Sequence, residues 1–74
     1  MTMEFDTQDL MNYQIQLNGR LDDDFVAAFC PAGTVRTDDG ETILLANIRT
    51  DQSGLIGLIR TLHNLGCTIL AVNA

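Results

Sequence analysis

His63, Cys30 and Cys67 are the residues of this chain whose types are best suited to chemistry, and their spacing supports little of it. A histidine acting as general acid or base needs a positioned partner, and none is identifiable for His63. It stands near the end of a helical pattern, where its ring meets the last free carbonyls. Cys30, His63 and Cys67 as three zinc ligands would lack the closely paired cysteines of a zinc ribbon or finger. A Cys–His nucleophile would need a cationic or helix-start setting to lower the thiol pKa, and Cys67 follows a helix end. In a reducing compartment the two cysteines read as buried thiols rather than a disulfide. The sequence therefore predicts no catalytic residue, no metal site and no cofactor.

Asp51-Gln52-Ser53-Gly54 is the sharper feature. It leads from a strand pattern into a helix start, where free amides and the helix dipole favour an anion. Gly54 allows a ligand or a second backbone to come close. Two readings stand side by side, a helix cap and a ligand-binding loop over Asp51, Gln52, Ser53 and Gly54. A phosphate cradle would need more glycines and a lysine. Asp22-Asp23-Asp24 precedes another apolar segment and reads as a cap and a solvated turn. A calcium loop would need alternating ligands and a closing Glu. Arg20, Arg36, Arg49 and Arg60 read as solvated or ion-paired; two of them side by side could hold a carboxylate in a fork.

The elements that must position these residues show in the periodicity. Tyr13, Ile15, Leu17 and Leu21 alternate with Gln14, Gln16, Asn18 and Arg20, a half-buried strand. Gly19 interrupts its apolar face and marks a bulge or a close backbone approach. Phe25, Val26 and Phe29 form a short helix stopped by Pro31. Two strand runs, Thr34–Thr37 and Thr42–Ile48, flank Asp38-Asp39-Gly40-Glu41, a hairpin signal. Leu55, Leu58, Ile59, Leu62 and Leu65 share one helical face, and Gly66 sits at the left-handed C-terminal position. Cys67 to Val72 is the last strand. Residues 1–11 carry no periodicity and read as a flexible N-terminal arm ahead of a single α+β domain over 12–74.

The order strand, helix, strand, strand, helix, strand predicts a ferredoxin-like βαββαβ fold. It has a four-stranded antiparallel sheet, both helices on one face and a short first helix. The third and fourth strands look apolar on both faces, and two helices cover only one. Ile43, Leu45, Ile69 and Ala71 are thus expected to form an interface on the open face, with the N-terminal arm as the competing cover.

Composition bounds the rest. A 74-residue domain is marginally stable by itself and commonly gains from a partner subunit. A formal charge of −6, from ten acids and four arginines with no lysine, disfavours nucleic acid and anionic lipid. No apolar run reaches the roughly 20 residues that cross a bilayer, and the first residues lack a signal-peptide pattern, so a cytoplasmic location is expected.

The segment Thr50-Asp51-Gln52-Ser53-Gly54-Leu55, followed by Leu58-Ile59, Leu62, Leu65-Gly66 and Ile69, resembles the strand–loop–helix–strand signature of ACT regulatory domains, over about a third of the chain. Those domains are ferredoxin-like, often dimerise through their sheets, and bind amino acids near the loop glycine. The resemblance implies that Asp51 and Gly54 lie close to a ligand. In ACT domains the signature comes first in the fold; here it occupies the second half. Gly19-Arg20-Leu21-Asp22 and the Asp51–Leu55 loop are similar to parts of anti-sigma-antagonist (STAS) domains, which take phosphate on a Ser directly after the Asp, where this chain has Gln52. Over its whole length the chain looks most like a group of short uncharacterised bacterial proteins. They share a Tyr-x-Ile-x-Leu-x-Gly-Arg-Leu opening (Tyr13–Leu21) and an Asp-Gln-x-x-Leu-x-x-Leu helix (Asp51–Leu58). The expectation is a non-enzymatic interaction or regulatory module, a homodimer or higher homo-oligomer pairing through the open sheet face. The alternative is an ACT-like sensor of an amino acid or metabolite at Asp51–Gly54.

Overall fold

The structure, a computed structural model, describes residues 10–74. Strands β1 (Met11–Asn18), β2 (Val35–Asp38), β3 (Ile43–Thr50) and β4 (Thr68–Asn73) form one antiparallel sheet in the order β2-β3-β1-β4. Helices α1 (Asp23–Phe29) and α2 (Gln52–Asn64) make the two crossovers. This is the ferredoxin-like βαββαβ arrangement expected from the element order. The arm expected over 1–11 lies outside the described residues up to position 9, and Met11 is the first residue of β1.

Local chemistry sets the element ends. Asp22 caps α1, its side chain accepting the Phe25 amide at 2.9 Å, and Asp23 and Asp24 follow in the first turn, where the dipole favours acids. The β2–β3 turn is held by Asp39, whose carboxylate accepts the amides of Glu41 and Thr42 at 2.9 and 2.8 Å. Those bonds, Thr42's first, hold the Asp39 carboxyl below its ordinary pKa. Helix α2 ends in a Schellman motif: Cys67 donates to the Leu62 carbonyl, Gly66 to that of His63, and Gly66 has φ 92°.

The core lies between the helices and one sheet face. Ile15 and Leu17 of β1, Ile43, Leu45 and Ile48 of β3, and Leu55, Leu58 and Leu62 of α2 are all buried, joined by Leu21, Val26 and Cys67. Gly19, with φ 144°, lets the end of β1 pass against Cys67; a Cβ there would stand 2.9 Å from the Cys67 sulfur. The close approach signalled by that glycine is therefore with the start of β4.

Two bulges decide which side chains face out. In β3 the register shifts between Ile15↔Leu45 and Tyr13↔Ile48, and Asn47 takes φ 60°. The extra residue reverses the alternation, so Ile48 returns to the core at 0% exposure. In β4 the partners are Leu17↔Ile69 and Gln16↔Ala71, which leaves Leu70 as the extra residue. Directly opposed residues share a face, so the open face carries Asn12, Gln14, Gln16 and Asn18 of β1 with Leu44, Ala46, Ala71 and Asn73 around them. It mixes these amides with apolar side chains, among them Val35, which lies opposite Ala46 and is exposed. The two-sided apolar reading of β3 and β4 assumed strict alternation, and the bulges break it.

Candidate functional site

The expected ligand loop is a helix cap. Asp51 is the N-cap of α2, its carboxylate accepting the Gly54 amide at 2.7 Å, and Gln52, Ser53 and Gly54 form the exposed first turn. Gly54 is required by closeness and not by a left-handed backbone: a Cβ there would collide with the Thr50 hydroxyl. Beside this turn, a groove of about 490 Å³ runs between the helices, with Phe29, Cys30, Thr50, Gly54, Gly57 and Thr61 among its lining residues. The groove stays open at Gly57, where a Cβ would meet nothing within 4 Å, whereas the space beside Gly54 is taken by Thr50. Burial raises the Cys30 thiol above its ordinary pKa, which keeps it protonated at neutral pH.

Three of the four expected interface residues lie on the covered side of the sheet. Ile43 is 2% exposed and Leu45 is fully buried, both beneath the helices. Ile69, opposite Leu17, packs against the same core. Only Ala71, opposite Gln16, belongs to the open face. The correction follows from register, because residues 43 and 45 share parity with the inward side chains of β1.

The other chemical candidates are dispersed. His63 is exposed in the last turn of α2, and Cys30 and Cys67 are both free thiols. Among the described residues no three of His, Cys, Asp or Glu are grouped to hold a metal ion. Arg36 reaches from β2 to the start of α1, 3.0 Å from the Asp23 carboxylate and 3.5 Å from that of Asp38, which binds the first crossover to the sheet edge. Gly19-Arg20-Leu21-Asp22 lines a hollow of about 560 Å³ at the same end of the sheet, together with Phe25, Asp38 and Leu65.

Charge and apolar exposure are segregated. The described acids are Asp22, Asp23, Asp24, Asp38, Asp39, Glu41 and Asp51, so none falls between Gln52 and Ala74. The first six gather at one end of the sheet, because β1 and β2 run in the same direction and both end there. The acid-free α2–β4 unit exposes Ile56, Leu65, Leu70 and Val72. At 100° per residue, Gly54, Gly57 and Thr61 turn toward α1, whereas Ile56, Ile59 and His63 lie on the opposite flank, beside β4. Leu70 and Val72 were not singled out by the sequence as surface residues, since strict alternation set them on the face opposite Ile69 and Ala71, and Ile56 stood only at the edge of the apolar face of α2.

These features define a small α+β domain whose described surface offers a helix-capped groove and an acid-free flank. The chain belongs to the family described as Domain of unknown function (DUF8691), whose model matches residues 12–73. No curated protein and no solved structure matches it. No helix among the described residues is long and apolar enough to cross a membrane.

Proposed function

We propose that this chain is an interaction or regulatory module that works as a homodimer and performs no chemistry of its own. One observation carries the reading: in a chain of net charge −6, the whole α2–β4 unit lacks acids and exposes large apolar side chains. Depletion of charge around exposed apolar groups is what the core of a protein interface looks like before it is covered. It also gives two copies a way to meet without bringing together the acids at the far end of the sheet, Asp22–Asp24, Asp38, Asp39 and Glu41. Light scattering on the full chain at low micromolar concentration tests this. The expected mass is twice the 8.1 kDa of one chain. A monomer with no concentration dependence overturns the reading.

A second reading rests on the groove between α1 and α2. It is open at Gly57 and adjoins the capped start of α2, where a small polar metabolite or amino acid would meet the Gln52 and Ser53 amides. A thermal-shift screen with amino acids and small metabolic anions tests it. A ligand at 100 times its dissociation constant adds about 2.7 kcal/mol of stability, and silence across the screen removes this reading while leaving the first intact.

A further inference from the structure

We infer that two copies join edge to edge through β4, making one continuous eight-stranded sheet with four helices on the same side. The inference rests on the homodimer reading above and names the surface.

The sheet has two outer strands, and they are guarded differently. Strand β2 is four residues long and carries Arg36 and Asp38, an ion pair at 3.5 Å. Short length and charge are the devices that stop an edge from pairing with a stranger. Strand β4 has neither. Thr68–Asn73 is six residues long with no charge and no proline, and Leu70 and Val72 are 49% and 39% exposed. Its outer amides and carbonyls are a template for another strand.

A second copy is the occupant that fits. An antiparallel strand is complementary to itself about a two-fold axis. Such an axis through β4 sets uncharged strand against uncharged strand and brings the Ile56–Ile59 flank of α2 against the same flank of its partner. It also sends the two acidic ends, each built from Asp22–Asp24, Asp38, Asp39 and Glu41, to opposite extremes of the dimer. Pairing through β2 would instead bring Asp38 and the neighbouring turn acids within one four-residue strand's length of their copies.

Sedimentation velocity on the full chain and two charged variants tests the surface. Leu70→Lys with Val72→Lys places cations on the edge at half-exposed positions, and Gln16→Lys places one on the open face. The wild type and Gln16→Lys are expected to sediment as dimers, and the edge variant as a folded monomer by circular dichroism. Hydrogen exchange on the wild type gives a readout that needs no variant. Amides of Thr68–Asn73 should gain protection as concentration rises, and those of Val35–Asp38 should not. If the edge variant stays dimeric, or Gln16→Lys alone dissociates, the β4 assignment falls while the homodimer stands. If β4 protection is independent of concentration in a dimeric wild type, it falls likewise. A monomeric wild type removes both.

Discussion

Gly19 is the residue on which the junction of β1 and β4 depends. Its φ of 144° lies in a region that side chains rarely adopt, and a Cβ would press on the sulfur, Cα and Cβ of Cys67 at 2.9–3.3 Å. Gly19→Ala should cost on the order of 1–3 kcal/mol, read as a lower urea midpoint with an unchanged slope. Asp39 works by charge. Amide donors from Thr42 and Glu41 favour its ionised form, so its pKa in the fold lies below the ordinary 3.8. The sign follows from linkage: the lowered value contributes stability in full above the unfolded pKa, and the contribution is lost as pH falls through the folded value. An NMR titration of the side-chain carboxyl carbons should find Asp39 with a midpoint below 3.8, and a midpoint at or above it would mean that the turn does not hold the carboxylate as described.

At the scale of elements, the bulge at Asn47 decides what the third strand buries. Its φ of 60° is tolerable for Asn and Gly and poor for a β-branched residue, and its side-chain amide donates to the Gly33 carbonyl at 3.0 Å. Asn47→Gly keeps the backbone and loses that bond, a cost of about 0.5–1.5 kcal/mol. Asn47→Val should cost about 1–2 kcal/mol more, and chemical denaturation of the pair separates the two contributions. The same bulge explains what was legible in the sequence. Element order, the Asp39-Gly40 turn, the α2 face and its Gly66 ending each leave a local signature, and together they gave the fold. The identity of the outward side chains did not show, because Ile43-Leu44-Leu45-Ala46-Asn47-Ile48 is read by parity and one unpaired residue reverses it. The Asp51–Gly54 turn was legible as a cap. The groove beside it was not, since it depends on where α1 packs.

For the whole molecule, the decisive quantity is the work of bringing two chains of charge −6 together. Apart from the thiol of Cys67, the ionisable side chains of the α2–β4 unit are Arg60 and His63, and six of the seven described acids stand at the far ends. Contact energy then comes from apolar burial and strand pairing, which salt does not screen, while the long-range repulsion between the two net charges is screened. The Debye length is about 10 Å at 0.1 M ionic strength and about 3 Å at 1 M, so raising salt across that range removes most of the repulsion. Self-association should therefore tighten as salt rises, with a lower dissociation constant by sedimentation velocity. Ion pairs between copies would give the opposite slope, since arginines of one chain held against acids of the other would be weakened by the same ions. Dissociation on adding salt would thus move the contact to the acidic end of the sheet, where Arg20 and Arg36 stand among Asp22, Asp23 and Asp38, and away from the uncharged edge of β4.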